Sequence, residues 1–340
     1  GLFLYGMNLM GMGLQKAAGE KLKKLIEILT NNRLMGVLVG AAVTMVIQSS
    51  SATTVMVVGF VNAGLMTLTQ AVGVIMGANI GTTITAQLIA FKLTDIAPVA
   101  VAVGVGVWMF TSKKKAKDIA EILIGFGILF MGMDIMGNSL APLAENKAFR
   151  SMLMSLNDPF IGLLVGLGMT TLIQSSSASI GLLQALAHQG LIDINMAFPV
   201  LFGDNIGTTT TALLSSIGAN KTAKRAAIIH FLFNLIGTIL FMFVLRWPVQ
   251  RLVEYLTPSD VQRQIANAHS LFNIINVIIQ FPFAGLLVKI ANKLVPGEEE
   301  EESAGLKFLD SRIIETPSIA VGQATKEVLR MAKIVEENLK

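Results

Sequence analysis

The feature that most constrains this chain is a polar tetrad, Gln-Ser-Ser-Ser, that occurs twice inside strongly apolar stretches. It stands at residues 48–51 within IQSSSATT and again at 174–177 within IQSSSASI. When the sequence is aligned with itself at an offset of 126 residues, 24 of the 53 positions from Gly36 to Leu88 are identical. The polar positions match as well as the apolar ones. The chain therefore contains an internal duplication that keeps its polar groups in register.

The composition predicts an all-α polytopic membrane protein, which we place in the cell (inner) membrane. Of the 340 residues, 53% are hydrophobic and 14% are charged, whereas a soluble domain carries roughly 25% charged residues. The basic residues form short clusters rather than a stripe, so no nucleic-acid partner is expected. The chain has no Cys and three His without ligand spacing, which argues against a transition-metal site. No nucleophile–base pair or phosphate-loop motif is present, and an enzyme is not expected.

The apolar segments around each tetrad are short, which indicates a re-entrant hairpin. In the first copy they cover residues 34–47 and 52–63, whereas a membrane-spanning helix needs about 20 residues. Polar backbone at membrane depth is tolerated only where it is buried in protein or lines a cavity. With such a hairpin the first repeat crosses the membrane three times, so the second repeat enters with inverted topology. The sequence thus predicts two inverted-topology repeats, each with a re-entrant helical hairpin whose polar tip meets the other.

The charges of the predicted loops support this topology. The clusters Lys16–Arg33, Lys113–Lys117 and Lys221–Arg225 all fall on the inner side, as the positive-inside rule requires. Three arginines fall on the outer side and count against it: Arg246, Arg251 and Arg263. A last span at 270–291 returns the chain to the inside, so the C-terminus is predicted to be cytoplasmic.

The domain organisation follows from the duplication and a change of composition after Pro296. We predict a first transport repeat at 1–126, and a second repeat plus a final span at 127–295. An acidic linker at 296–305 and a soluble amphipathic helical segment at 306–340 come next. The first apolar run, Leu2–Leu14, is shorter than a span, which indicates a sequence that starts inside a helix.

A helix break at the tetrad offers chemistry for ions of both signs. The helix that follows the break begins with free N–H groups and the positive end of its dipole, which suits an anion. Serine is a good N-cap, and the preceding helix ends in free carbonyls that suit a cation such as Na⁺. Two such tips could close around a tetrahedral oxyanion. The alternative is that these serines only join membrane helices by hydrogen bonds.

A second polar set, Asn-Ile-Gly-Thr-Thr, occurs at 79–83 and 205–209. Its Asn and Thr side chains offer oxygens to a site, whereas its glycines form GxxxG patterns that favour close helix packing: Gly77, Gly81, Gly203 and Gly207.

Two carboxylates stand in apolar runs, where charge is expensive. Asp204 could help to hold Na⁺, and Asp134, which aligns with Asn8, lies near a span end and could be solvated. The pattern His-x-x-Phe-Asn occurs at 230–234 and 269–273, and we predict that each copy lies at the start of a span. It indicates either helix packing or a proton relay.

The doubled QSSS, together with GANIGTT (77–83) and GDNIGTT (203–209), resembles the sodium-dependent phosphate cotransporter family, which includes the animal type II transporters and bacterial relatives. The resemblance covers about residues 1–295. It implies Na⁺-driven transport of inorganic phosphate, with phosphate and sodium sites formed by Gln48–Ser51 and Gln174–Ser177. The tail after Gly305 resembles the start of a PhoU-like helical domain.

On this basis the hypothesis is a secondary active transporter that couples Na⁺ to phosphate by alternating access, in contact with the lipid bilayer. No cofactor is expected beyond Na⁺ as the coupling ion, and a homodimer is left open. An anion channel, and a phosphate-sensing membrane protein that signals through its tail, are the alternatives. Phosphate is assigned to the serines Ser49, Ser50, Ser51, Ser175, Ser176 and Ser177. Sodium is assigned to Gln48, Gln174, Asn79, Thr82, Thr83, Asn205, Thr208, Thr209 and Asp204.

Overall fold

The computed structural model describes residues 1–27, 32–91, 93–297, 308 and 317–338. Within these ranges every regular element is a helix, which confirms the predicted all-helical class. Besides five continuous helical stretches, one bent pair of helices, Lys147–Asn157 with Pro159–Ile173, is apolar enough to count as a further membrane span. These five are long and apolar enough to cross a membrane: Leu68–Ala90, Leu93–Phe110, Lys114–Leu143, Lys221–Leu256 and Val261–Leu294. The chain is therefore a multi-pass membrane protein.

Among the described residues the first half contains six α-helices, and the second and third lie close to the apolar segments predicted at 34–47 and 52–63. They are α1 (Leu2–Glu27), α2 (Arg33–Ile47), α3 (Ser50–Asn62), α4 (Leu68–Ala90), α5 (Ala97–Phe110) and α6 (Lys114–Leu140). From the sequence we expected one helix to end near Leu14 and a separate basic segment to follow it; this is wrong, because α1 continues through its basic part to Glu27.

The second half contains a short helix, then the counterparts of α2, α3 and α4, and then further helices. It contains α7 (Lys147–Met154), α8 (Pro159–Ile173), α9 (Ser176–His188), α10 (Ile194–Gly207), α11 (Thr209–Ser215), α12 (Lys221–Leu240), α13 (Arg246–Leu256), α14 (Val261–Gln280), α15 (Ala284–Leu294) and α16 (Pro317–Asn338). Helices α8, α9 and α10 begin 126 residues after α2, α3 and α4, so the duplicated sequence forms duplicated structure. One difference is that α4 is continuous, whereas its counterpart is divided at Thr208.

Glycines join the same pair of helices in each repeat. A Cβ on Gly81 of α4 would lie 2.7 Å from the Thr44 Cβ of α2, and one on Gly207 of α10 would lie 2.8 Å from the Thr170 Cβ of α8. Gly77 and Gly203 likewise face backbone of the partner helix with no room for a side chain. The packing interpretation of these four glycines is confirmed.

The first helices of the two repeats, α1 and α6, pack against each other in an antiparallel pair. A Cβ on Gly6 would overlap the backbone of Leu129, and a Cβ on Gly132 would overlap the backbone of Phe3. Gly132 and Leu129 are the residues 126 positions after Gly6 and Phe3, so the two contacts are exchanged by the repeat. A reciprocal contact of this kind is what a local two-fold axis produces.

Three predicted features differ in position. The basic clusters at Lys113–Lys117 and Lys221–Arg225 were expected in loops, but they form the first turns of α6 and α12. His230 and His269 were expected at span starts, but they lie in the middle of α12 and α14, where Asn234 Nδ2 and Asn273 Nδ2 donate to their carbonyl oxygens. Of the acidic linker predicted at 296–305, only Pro296 and Gly297 lie among the described residues, and the amphipathic segment contains α16.

Candidate functional site

Each tetrad lies at a sharp break between two helices, and its glutamine adopts an unusual backbone conformation. Gln48 has φ 59° and Gln174 has φ 56°. Within the described ranges these are the two non-glycine residues with positive φ. The left-handed region costs a residue with a Cβ roughly 1–2 kcal/mol. Because glycine would occupy both positions without that cost, the glutamine side chain itself is indicated as functional.

The serines begin the helices that follow. Ser49 and Ser175 are the N-caps of α3 and α9, and their hydroxyls accept the N–H groups of Ala52 (3.1 Å) and Ala178 (3.3 Å). The backbone angles of the two caps agree within a few degrees, φ −147° and −148°. The first N–H groups of each helix, together with the serine hydroxyls of its first turn, are the donors that bind anions at helix N-termini.

The two tetrads, 126 residues apart in sequence, line one cavity of about 280 Å³. All eight tetrad residues contribute, together with Ile47, Ala52 and Thr82. The remaining wall comes from one face of α1. Among the described residues that line the cavity, none carries a charge. The arrangement therefore offers hydroxyl, amide and backbone N–H donors from both halves of the chain to a single small ligand.

The predicted sodium residues divide into two groups. Gln48, Gln174 and Thr82 line the cavity, whereas the others are buried behind it or beside it. Asn79 and Asn205 donate to the carbonyls of Ile75 and Leu201, one turn earlier in their own helices. The side chains that do not line the cavity are those of Asn79, Thr83, Asp204, Asn205, Thr208 and Thr209.

Asp204 is fully buried and joins α8, α9 and α10. Its Oδ1 accepts hydrogen bonds from Thr170 Oγ1 (2.7 Å) and Ser179 Oγ (2.6 Å). Its Oδ2 has no hydrogen-bond partner among the described residues. An isolated buried carboxylate is costly unless a cation or further donors compensate it. A free oxygen on such a group therefore marks a place where a cation can bind.

The first repeat has no carboxylate at the position that corresponds to Asp204. Ala78 aligns with Asp204, and Thr44 Oγ1 instead donates to Thr53 Oγ1 (3.0 Å). Thr53 Oγ1 in turn donates to the carbonyl oxygen of Ser49 (3.0 Å). The two repeats thus have matching backbone conformations at the tetrad but differ in the charge of the side chain behind it.

The two tips also differ in their surroundings. Ile47 is 4% exposed, whereas Ile173 is 42% exposed and its neighbour Leu172 is 86% exposed. Helix α1 covers the first tip, since a Cβ on Gly11 would lie 3.4 Å from the carbonyl oxygen of Ile47. Both polar atoms of the Gln48 amide form hydrogen bonds. Its Oε1 accepts from Thr85 Oγ1 (2.8 Å), and its Nε2 donates to the carbonyl oxygen of Met45 (2.5 Å).

Sequence reasoning missed four polar residues of this region. Asn8 and Gln15 line the cavity from α1, and Thr170 and Ser179 hold Asp204. The self-alignment contained part of the signal, because Thr170 is identical to Thr44 and Ser179 aligns with Thr53. Asp134, which aligns with Asn8, is exposed on α6 and accepts from Asn138 Nδ2 (3.2 Å).

Fold and site together define a multi-pass helical membrane protein with a polar cavity built from two repeats. Comparison with known families gives a closer assignment. The sequence model described as Na+/Pi-cotransporter matches the chain twice, over residues 2–138 and 131–257. The chain therefore belongs to the Na+/Pi-cotransporter family, which confirms the resemblance inferred from its motifs. This is a family of transporters rather than enzymes, in line with the expectation from the sequence.

Individual relatives carry three kinds of name. An uncharacterized protein of Bacillus subtilis, YqeW, is 32% identical over 297 residues, covering 87% of this chain and 96% of the relative. The "Putative inorganic phosphate export protein YjbB" of Salmonella typhimurium is 26% identical over 99% of this chain, which spans 62% of that protein's length. Sodium-dependent phosphate transport protein 2C of Mus musculus is 43% identical over 97 residues, covering 27% of this chain and 16% of the relative. No solved structure matches the chain significantly.

Proposed function

We propose that this protein is a secondary active transporter that couples Na⁺ to the translocation of inorganic phosphate by alternating access. The observation that carries the proposal is the shared cavity, to which both QSSS tetrads contribute. Phosphate is held between the starts of α3 and α9 by Ser49–Ser51 and Ser175–Ser177. The tetrahedral ion presents oxygens in several directions, so donors from two opposed tips can each take part of it.

Charge balance supports a coupling cation. A phosphate anion in a membrane-embedded cavity needs compensation, and the described residues that line this cavity include no Lys or Arg. Two helix N-termini supply partial positive charge, on the order of half an elementary charge each. Sodium supplies the rest, bound by oxygens of Gln48, Gln174, the Asn-Ile-Gly-Thr-Thr segments and Asp204. The names of the mammalian relatives, which specify sodium dependence, agree with this requirement.

Two further observations support inverted repeats and alternating access. The reciprocal antiparallel contacts of α1 and α6 fit two repeats related by an axis in the membrane plane. The short helices beside each tetrad, 15 and 13 residues long, fit re-entrant hairpins rather than spans. A pair of tips with matching backbone but unequal cover fits one of two access states.

The direction of net flux follows from the gradients, since a coupled carrier runs either way. The YjbB relatives are named for phosphate export, which favours efflux as a physiological mode. The rival functions are an anion channel, which would conduct without Na⁺, and a phosphate sensor, which would bind without flux.

The test is labelled phosphate flux in proteoliposomes of the purified protein, with an inward Na⁺ gradient, an inward K⁺ gradient or no gradient. Accumulation above equilibrium only with Na⁺ is expected. Equal uptake under all three conditions would refute coupling and favour a channel, and binding without flux would favour a sensor. Each arm is also run as efflux from loaded vesicles.

A residue test addresses the site. Ser50→Ala and Ser176→Ala should each depress uptake at least tenfold while the protein still inserts and purifies, because each removes a donor from a charged ligand. Ser155→Ala is the matched control, since Ser155 is exposed and donates to the Met152 carbonyl away from the cavity. Wild-type uptake in both site variants would exclude these serines from the site.

A further inference from the structure

The third wall of the cavity belongs to α1, which carries no QSSS tetrad. Its cavity-lining residues recur on successive turns, three or four residues after one another, and so form one face of the helix: Met7, Asn8, Gly11, Met12 and Gln15. The counterpart helix α6 contributes no lining residue. The α1 wall therefore has no counterpart from α6 in the cavity.

This face is held in a fixed orientation. On the opposite side α1 packs tightly on α6, where a Cβ on Gly13 would lie 2.8 Å from Ile122 Cγ1 and one on Gly6 would overlap Leu129. Lys16 Nζ lies 2.6 Å from Glu121 Oε2 at the end of the same contact. On the cavity side Gly11 allows the tip at Ile47 to approach. Rotation of α1 would break these contacts, so Asn8 and Gln15 stay directed at the cavity.

The amides of Asn8 and Gln15 are free to bind a ligand. Neither forms a hydrogen bond with any residue that the structure describes, whereas the Gln48 amide is used at both ends. Gly11 has no side chain between them, and side chains on a helix lean towards its N-terminus, so Gln15 leans towards Asn8. Each amide offers two N–H donors and a carbonyl acceptor.

We infer that Asn8 and Gln15 contact the transported anion directly and select phosphate over sulfate; this inference rests on the proposed function. The backbone N–H groups at the starts of α3 and α9 only donate hydrogen bonds, so by themselves they bind sulfate and phosphate alike. Phosphate near neutral pH keeps at least one P–OH group, which can donate to an amide oxygen of α1. Sulfate has no proton to donate and leaves that acceptor unpaired, and a site built for a hydroxyl discriminates strongly against a ligand without one.

The experiment measures equilibrium binding of labelled phosphate to the full chain in nanodiscs with Na⁺ present, together with competition by unlabelled phosphate and sulfate. Asn8→Ala and Gln15→Ala are each expected to raise the Kd for phosphate roughly tenfold or more. The inhibition constant for sulfate should change less, so the preference for phosphate over sulfate falls. Asp134→Ala is the control, because Asp134 aligns with Asn8 but lies on α6 outside the cavity.

The outcomes separate this inference from the function on which it rests. If the wild-type protein binds phosphate and transports it with Na⁺, but both α1 variants keep Kd and selectivity within twofold of wild type, the inference is overturned and the proposed function stands. If the wild-type protein neither binds nor moves phosphate, the proposed function fails. A selective loss of phosphate affinity in both α1 variants, with Asp134→Ala unchanged, supports the inference.

Discussion

Replacement of Gly207 by alanine tests whether the spacing of α8 and α10 sets the proposed sodium dependence of uptake. Gly207 ends α10, and a Cβ placed on it would lie 2.8 Å from Thr170 Cβ and 2.9 Å from the carbonyl oxygen of Leu167. Carbon atoms in contact sit at about 3.5–4.0 Å. The new methyl group must therefore push Thr170 and α8 away by about 0.7 Å or more.

That displacement acts on the hydrogen bond that holds Asp204. Thr170 Oγ1 lies 2.7 Å from Asp204 Oδ1, and a shift of this size moves the pair beyond about 3.2 Å, the upper end of the normal range for a hydrogen bond. Overpacking in a close interface costs about 1–3 kcal/mol. Alanine regains up to about 1 kcal/mol from its higher helix propensity. The net expectation is a less stable protein whose carboxylate is misplaced.

Thermal unfolding of the purified protein and the sodium dependence of phosphate uptake measure the two effects. We expect Gly207→Ala to lower the midpoint of unfolding by several degrees and to raise the Na⁺ concentration for half-maximal uptake. Gly168→Ala, on the helix that faces Gly207, is the matched control, because a Cβ there meets no atom within 4 Å. If Gly207→Ala unfolds at the wild-type temperature and keeps the wild-type sodium dependence, the reasoning from helix spacing is wrong.

Two other substitutions probe buried polar groups. Asp204→Asn keeps the size of the side chain and the oxygen that accepts from Thr170 and Ser179 but removes the charge. We expect the half-saturating Na⁺ concentration for uptake to rise about tenfold, equivalent to ~1.4 kcal/mol. An unchanged value would exclude Asp204 from the proposed sodium site. Gln184→Leu removes the amide that donates to the carbonyl oxygens of Ala86 and Gln262. The loss of two hydrogen bonds at about 0.5–1.5 kcal/mol each should lower the free energy of unfolding by about 1–3 kcal/mol. Thermal unfolding measures this loss, and wild-type stability would mean that the bridge contributes nothing.

Much of the fold could be predicted because the bilayer restricts the choices. The lengths of the apolar segments predicted α2 and α3 to within two residues, and the offset of 126 residues located their counterparts α8 and α9. The division predicted near Leu14 failed for a physical reason: the basic residues after it mark a change of environment, not a change of backbone, and α1 continues to Glu27. The basic clusters were misplaced into loops for the same reason, since lysines in a first turn can reach the membrane surface.

The residues of the candidate site could be predicted from the sequence only where they belong to a repeated motif. QSSS identified both tips, and the structure brings them to one cavity. Asn8 and Gln15 have no such motif, and their role depends on which face of α1 is turned towards the tips, which depends in turn on Gly6 and Gly13 against α6. Periodicity within one helix cannot specify that rotation, because it is decided by the neighbouring helix. Thr170 was not predicted because threonine is common in membrane helices, and the sequence does not show that this one lies beside a carboxylate.

The charge that distinguishes the repeats has a consequence for coupling. The serine tips are duplicated, so their donors act on the anion from both sides, whereas the carboxylate at position 204 replaces an alanine in the other copy. Under the proposed function, a phosphate anion next to a buried Asp204 places like charges close together in a medium of low dielectric, which is unfavourable until a cation binds. Sodium bound at Asp204 should therefore raise phosphate affinity, and by linkage phosphate must raise sodium affinity by the same factor. Sodium and phosphate also attract each other directly, so under the proposed function Asp204 adds to a coupling that their opposite charges already provide, and its neutralisation should weaken that coupling without abolishing it.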